Sequence, residues 1–138
     1  MKKAKLLWVD LEMTGLDPEK DKILEVAVIA TDWQFKVVDR MMAVVKVPES
    51  VIKTRMVGKF WEEHRDSYES LVKQNKEGRT ALEVEDEILA FIEKNFGKEV
   101  YLAGNSIHQD RRFMMKEWPR LNEKLHYRMF DVSAWKIY

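Results

Sequence analysis

The chain has 138 residues, of which 46% are hydrophobic and 35% charged, a balance typical of one globular domain. Basic and acidic side chains number 24 each, so the net charge is zero, which argues against a protein that coats long nucleic acids. The absence of cysteine excludes disulfide frameworks and thiolate metal sites, and it fits a cytoplasmic protein. No apolar run is long enough to span a membrane, and Asp10 and Glu12 exclude a signal peptide because they interrupt the apolar segment near the N-terminus.

The first 50 residues predict three strands that are rich in apolar and β-branched side chains. These strands cover residues 5–12, 22–32 and 35–47. Their connections are short, so the pattern favours an antiparallel meander. A turn cluster at residues 14–18 ends the first strand, and residues 48–50 break the third.

Two helices are predicted next, over residues 59–75 and 80–96. The second has the stronger signal, because Thr80 and Glu83 have the spacing of a capping box. Gly97 follows as a natural helix stop.

The pattern then predicts a fourth strand over residues 99–104. Ser106 is expected to cap a helix that runs to Trp118 and is ended by Pro119. A short fifth strand is predicted over residues 128–131.

Residues 132–138 predict the first turns of a further helix, capped by Ser133. A helix of about two turns is marginal without packing partners. Because no linker or repeat divides the sequence, we expect residues 1–138 to form a single α/β domain that lacks its natural C-terminal part.

Asp10 and Glu12 lie two residues apart at the carboxyl end of the first strand, so their side chains share one face. Ligand sites gather outside this end of the strands in open α/β sheets. Two adjacent carboxylates repel each other, and a divalent cation such as Mg²⁺ or Mn²⁺ would relieve that repulsion. The alternative is a solvated face of an edge strand.

Asp110 shares a helix face with Phe113 and Met114, where a carboxylate should be paired, bound to metal or exposed at the edge of the apolar stripe. The alternative is an exposed aspartate that the helix dipole favours. Three carboxylates from a first strand and a later helix are what a two-metal phosphodiester hydrolase requires.

Four aromatic residues are candidate surfaces for stacking bases: Trp61, Tyr68, Tyr127 and Trp118. The alternative is packing in the core, and for Trp118 we prefer it. His126 and Asp131 have the spacing of the general base and last metal ligand in some nucleases, but residues five apart on a strand face opposite sides. We therefore interpret this match as coincidental.

Three longer segments resemble the oligoribonucleases, which are exonucleases of the DEDD type. Residues 7–18, LWVDLEMTGLDP, resemble the first exonuclease motif of that family. Residues 104–113, GNSIHQDRRF, resemble the second motif, and residues 126–133, HYRMFDVS, resemble the segment that follows. The resemblance runs in order from about residue 5 to the end of the chain.

The resemblance implies a ribonuclease H-like fold: a mixed five-stranded sheet, three antiparallel strands followed by two parallel ones, flanked by helices, with the C-terminal helices missing. It implies a cytoplasmic, homodimeric 3′–5′ exoribonuclease that hydrolyses short single-stranded RNAs, down to dinucleotides, to 5′-mononucleotides. Two divalent ions, Mg²⁺ or Mn²⁺, are implied as cofactors. Asp10, Glu12 and Asp110 match three of the four acidic metal ligands and are the implied catalytic residues.

The resemblance also implies a set of substrate-binding residues. Leu16 and Trp61 match positions that hold the bases, and His64 matches a position near the substrate. The residues that match groups around the 5′ phosphate are Ser106, Arg128 and Ser133. Tyr127 matches an aromatic residue that reaches the substrate from the partner subunit of a homodimer.

The family's third motif, which carries the general-base histidine and the fourth acidic ligand, is absent from these 138 residues. We therefore expect the chain itself to be impaired or inactive. Two alternatives remain open. One is an exonuclease of the same superfamily that acts on DNA or longer RNA, and the other is a non-catalytic module that binds short nucleotides.

Overall fold

Five strands form one mixed sheet in the computed structural model of the chain, which describes residues 2–136. The strands are β1 (Ala4–Met13), β2 (Ile23–Thr31), β3 (Val37–Val44), β4 (Phe96–Gly104) and β5 (Met129–Asp131). Their order across the sheet is β3–β2–β1–β4–β5. The β1–β2 and β2–β3 pairs are antiparallel, whereas β1–β4 and β4–β5 are parallel. The predicted sheet is therefore confirmed.

The helices lie in the two connections that lead to β4 and β5. They are α1 (Glu49–Arg55), α2 (Lys59–Glu63), α3 (Arg65–Asn75), α4 (Ala81–Asn95), α5 (Ile107–Glu117) and α6 (Pro119–Lys124). A 3₁₀ helix, Val132–Lys136, follows β5. Across residues 2–136, no helix is long and apolar enough to cross a membrane.

The two faces of β1 differ in what covers them, because successive side chains of a strand point to opposite sides. Leu7 and Val9 are buried in the main core with side chains of α4 and α5. Each such buried side chain contributes about 2 kcal/mol to the free energy of folding. Asp10 and Glu12 lie exposed on the other face. The core therefore anchors the strand while leaving both carboxylates open to solvent.

Aromatic side chains cover much of this second face. The Trp8 ring lies 5.6 Å from Phe35 and 5.8 Å from Phe130, and Trp135 lies 6.2 Å from Phe130. Phe35 is 48% exposed and Trp135 is 63% exposed. The sheet thus presents a partly solvated apolar surface beside its two carboxylates.

The predicted helix over residues 59–75 is wrong as a single element. It divides at His64, whose backbone (φ −113°, ψ 48°) leaves the helical region between α2 and α3. The sequence pattern also missed α1, which begins directly after Pro48. Gly58, with φ at 105°, makes the turn from α1 into α2 in a conformation that favours glycine.

The capping box of α4 is confirmed. Thr80 Oγ1 accepts a hydrogen bond from the Glu83 N–H (3.1 Å), and the Thr80 N–H donates to Glu83 Oε1 (3.2 Å). The helix ends at Asn95, however, so Gly97 does not stop it but lies inside β4. β4 begins three residues earlier than expected because Phe96, 2% exposed, is extended and packed in the core.

Pro119 begins a helix as well as following one. Trp118 breaks the helical path (φ −130°, ψ 64°), and Pro119 then occupies the first position of α6, where its missing N–H costs nothing. The buried Glu85 carboxylate accepts hydrogen bonds from the N–H groups of Arg120 (2.9 Å) and Leu121 (3.1 Å). A distant carboxylate thus caps α6, which no local pattern revealed.

The two predicted serine caps have different outcomes. Ser106 occupies the N-cap position of α5, as predicted, but in a left-handed conformation and without a side-chain capping bond. The cap at Ser133 is wrong, because Ser133 lies inside the 3₁₀ helix. Of the predicted helix over 132–138, residues 137 and 138 lie outside the described residues.

Asp21 organises the turn between β1 and β2. Its carboxylate, 1% exposed, accepts hydrogen bonds from the Thr14 hydroxyl (2.9 Å), the Asp17 N–H (2.9 Å) and the Arg55 guanidinium (2.9 and 3.2 Å). A Cβ at Gly15 would lie 2.5 Å from this carboxylate, so the turn requires glycine there. Burial alone would raise the pKa of Asp21, but its hydrogen bonds and the charge of Arg55 hold it below the usual 3.8.

Replacing Asp21 with asparagine should lower the free energy of unfolding by about 2 kcal/mol at pH 7, because charged hydrogen bonds are lost. A carboxylate whose pKa is depressed by folding stabilises the protein above the unfolded pKa. That stabilisation disappears as the pH falls through the folded value. Urea unfolding of wild type and D21N at pH 7 and at pH 3 should show a difference that shrinks at the lower pH. An equal difference at both pH values would contradict this account.

Candidate active site

Asp10 and Asp110 line a single cleft of about 550 Å³ at the carboxyl edge of the sheet. Asp10 is near the end of β1, and Asp110 is in the first turn of α5, which follows β4. Because β1 and β4 are parallel, their carboxyl ends meet at this edge. Gly104 and Asn105, in the turn between β4 and α5, complete that side of the cleft.

The carboxylates of the site influence one another's pKa values. Burial first, and then the charges of Asp10 and Glu12, raise the pKa of Asp110 to about 7. Burial, and then the charges of Asp10 and Glu25, raise the pKa of Glu12. The structure therefore brings the three predicted carboxylates into one electrostatic cluster.

The donors in this cluster are of the kind that a hard divalent ion prefers. Carboxylate oxygens suit Mg²⁺ and Mn²⁺, and a cation would offset the burial and the repulsion that together raise the pKa of Asp110. Within residues 2–136, however, no three histidine or carboxylate side chains are gathered into a ready metal site. The donor chemistry thus fits the expected ions, whereas a closed coordination shell is not preformed.

Glu25 is a fourth carboxylate of this cluster that the sequence analysis missed. It pairs directly with Glu12 across the antiparallel β1–β2 ladder, and both line a shallow depression beside α3. The Gln74 side-chain amide donates a hydrogen bond to Glu25 (3.1 Å). Only the register between the two strands reveals this pairing.

Leu16 and Trp61, the two predicted base-holding residues, line one cavity of about 400 Å³ together with Glu12. Leu16 is 86% exposed on the turn that Asp21 organises. The Trp61 ring packs edge-on against Phe60 (4.9 Å). The structure therefore places both residues directly beside one of the three carboxylates.

The other aromatic candidates do not line this cavity, although two of them contact residues that do. His64 stacks on Phe60 (4.3 Å), and its Nδ1 lies 2.8 Å from the Phe60 carbonyl oxygen, so it packs at the α2–α3 junction. Tyr68 lies 6.3 Å from Trp61, and both pack against a second, smaller group of buried hydrophobic side chains. Trp118 is fully buried, with its Nε1–H donating to the Ala81 carbonyl, which confirms its predicted core position.

The four residues predicted to surround a phosphate or reach across a dimer divide into two pairs. The backbone N–H groups of Ser106 and Ser133 both donate to the Asp131 carboxylate at 2.9 Å. The Arg128 guanidinium lies over the Tyr127 ring, 5.5 Å from its centroid, and Tyr127 is 74% exposed. The structure thus places the two serines beside one carboxylate, whereas the Arg128 side chain lies over Tyr127.

The three histidines all lie within the described residues, and none of them lines the cleft of Asp10 and Asp110. His126 stacks on Tyr127 (4.4 Å), and its Nδ1 accepts a hydrogen bond from the Arg128 N–H. The imidazole facing Asp131 is that of His108, at 3.6 Å. His126 and Asp131 have separate partners, which agrees with their interpretation as a coincidental match.

Almost all of the chain matches known proteins in sequence. The sequence profile of the exonuclease family matches residues 7–138. A probable oligoribonuclease of Dictyostelium discoideum is 40% identical over 134 residues, which are 96% of this chain and 70% of the relative. The oligoribonuclease of Aliivibrio fischeri is 42% identical over 135 residues, which are 95% of this chain and 72% of the relative.

Solved structures support the fold. Exonuclease I of Methylocaldum szegediense superposes with a TM-score of 0.66 at 16% identity, over 94% of this chain and 28% of that protein. A metal-free complex of E. coli exonuclease I with single-stranded DNA gives a TM-score of 0.67 at 13% identity, over 97% of this chain and 29% of that one. Both have the predicted ribonuclease H-like architecture. Together with the family profile and the sequence identities, this fold shows that the chain belongs to the oligoribonuclease family of 3′–5′ exoribonucleases.

Proposed function

We propose that this chain acts on short single-stranded RNAs, down to dinucleotides, and releases 5′-mononucleotides from the 3′ end. The observation that carries this is the shared cleft of Asp10 and Asp110, which adjoins the cavity of Leu16 and Trp61 through Glu12. A phosphodiester can then lie at the carboxylates while a base rests against the apolar pair. The proposed enzyme is a cytoplasmic homodimer.

Asp10, Glu12 and Asp110 would hold the divalent ions, Mg²⁺ or Mn²⁺. When bound, these ions supply an activated water and stabilise the leaving oxygen. The residues themselves place three carboxyl groups at the sheet edge, while the buried core behind β1 and α5 fixes their direction. Leu16 and Trp61 orient the bases and exclude water from one side of the phosphodiester.

Short substrates are favoured by two further features. The net charge of zero means that the chain carries no excess of positive charge to follow a long phosphate backbone. Ser106 and Ser133, with Arg128, would enclose the 5′ phosphate and so exclude longer strands. Tyr127, 74% exposed, would reach the substrate of the partner subunit, and His64 would lie near the substrate.

The chemical step should be slow in this chain. Catalysis of this kind needs a group that accepts the proton of the attacking water, and no histidine lines the cleft in the part of the chain that the structure describes. Asp10 and Asp110 are the proposed ligands of the ions, so they do not accept this proton. We therefore assign to these 138 residues competent binding with weak turnover.

Replacing Asp10 with alanine should weaken Mn²⁺ binding at least about tenfold, the lower end of the effect of supporting residues in metal sites. The matched control is E93Q, since Glu93 is an exposed carboxylate on α4 whose side chain is 83% exposed. Titration calorimetry with Mn²⁺ on wild type, D10A and E93Q measures the effect. Equal affinities in wild type and D10A would contradict the assignment of Asp10 as a ligand.

Replacing Trp61 with alanine should weaken the binding of an RNA dinucleotide about tenfold or more, because stacking on one base contributes about 1–3 kcal/mol. W33A is the control, since Trp33 is an indole on the β2–β3 loop that is more exposed than Trp61, at 51%, and does not line the cavity. Fluorescence anisotropy with labelled RNA and DNA dinucleotides reports both affinities. Tighter binding of DNA or of a 7-mer would favour the superfamily alternatives instead.

Turnover of an RNA dinucleotide with Mn²⁺ should be about 10²–10⁴ times slower than for the Aliivibrio fischeri relative, which is the usual effect of losing a positioned base. D10A provides the background rate. A rate comparable to that of the relative, abolished in D10A, would show that a group other than histidine accepts the proton.

A further inference from the structure

Asp131 joins two segments that meet at the cleft. It ends β5, where it pairs with Gly104 of β4. One oxygen of its carboxylate, Oδ1, accepts hydrogen bonds from the backbone N–H groups of both Ser106 and Ser133 at 2.9 Å. A single atom therefore ties the β4–α5 turn to the start of the 3₁₀ helix.

The turn that Asp131 holds is constrained in a way that needs support. Ser106 has a left-handed backbone (φ 51°, ψ 43°), which costs about 1 kcal/mol or more for a residue with a Cβ. A Cβ at Gly104 would lie 2.8 Å from the Ile107 side chain and 3.1 Å from the Val9 carbonyl oxygen. The turn is thus pressed against β1, and the hydrogen bond from Ser106 to Asp131 stabilises its unusual shape.

The neighbours of these bonded residues form part of the active-site wall. Asn105 precedes Ser106 and Val132 precedes Ser133, and both line the cleft of Asp10 and Asp110. Moving either segment would therefore change the shape of that cleft. The hydrogen bonds of Ser133, together with that from Ser106 and the nearby His108, lower the pKa of Asp131 to about 2, so its acceptor oxygen stays ionised near neutral pH.

We propose that Asp131 is a positioning residue that fixes Ser106 and Ser133 relative to each other and so builds the wall that receives the 5′ phosphate. This role rests on the proposed function. Asp131 does not touch the reacting atoms. It acts by holding two backbone N–H groups in place. The two hydrogen bonds that it accepts, more than its charge, position the phosphate-binding wall.

Asp32 is a matched control for this chemistry. Its Oδ1 also accepts two backbone hydrogen bonds at 2.9 Å, from Gln34 and Lys36, but in the β2–β3 loop and not at the cleft. D32A therefore removes the same kind of carboxylate bridge without disturbing Ser106 or Ser133.

The experiment compares binding of two RNA dinucleotides, pApA and ApA, which differ only in the 5′ phosphate. Calorimetry with Mn²⁺ present is run on wild type, D131A, D131N and D32A. We expect wild type and D32A to prefer pApA by about tenfold or more, the effect of one charge-assisted hydrogen bond. D131A should lose most of this preference while keeping its affinities for ApA and Mn²⁺. D131N should keep it, because an amide oxygen accepts the same two bonds.

The outcomes distinguish the proposed 5′-phosphate recognition from the proposed role of Asp131. A wild type that binds ApA as tightly as pApA contradicts the proposed 5′-phosphate recognition and this role with it. A wild-type preference that D131A retains contradicts the role of Asp131 alone. Loss of the preference in D131N as in D131A would show that the charge, not the accepted hydrogen bonds, is responsible. If D131A fails to fold, D131L replaces it, because leucine is close to aspartate in size but accepts neither hydrogen bond. A preference for pApA that D131L retains would then contradict the role of Asp131.

Discussion

β1 runs parallel to β4, and this pairing brings the carboxyl ends of both strands to the same edge of the sheet. Asp10 approaches from one strand, and Asp110 approaches from the helix that follows the other. Residues a hundred positions apart thereby line one cleft. The helix-covered core on the opposite face keeps β1 in place, so the exposed carboxylates need not contribute to its stability.

Features that depend on neighbours in sequence could be predicted from the sequence. The alternation of β1 placed Asp10 and Glu12 on one face, and the spacing of Thr80 and Glu83 gave the capping box. Both follow from local periodicity. The parallel β1–β4 pairing was available only through the family resemblance, because periodicity carries no information on strand order. Asp110 could be grouped with Asp10 and Glu12 from its apolar helix face, but only as one of two alternatives.

Features that depend on register or on distant caps could not be predicted. Glu25 belongs to the carboxylate cluster because it lies opposite Glu12, and a shift of one residue would move it to the other face. α6 begins at Pro119 because the Glu85 carboxylate, 34 positions earlier, accepts its first N–H groups. Asp131 took on significance only when the structure showed which N–H groups its carboxylate accepts. In each case the decisive partner is remote in sequence.

Two carboxylates outside the cluster, Asp21 and Asp131, have the opposite task from those within it. Their hydrogen-bond donors lower their pKa values and fix the β1–β2 turn beside Leu16 and the β4–α5 turn at the cleft. Asp110 is partly buried beside like charges, which raises its pKa. Asp21 and Asp131 therefore stabilise the turns, whereas the clustered carboxylates repel one another, and a bound cation can relieve that repulsion. The turns must be rigid for the clustered carboxylates to stay together, since a mobile β4–α5 turn would let Asp110 move away from Asp10.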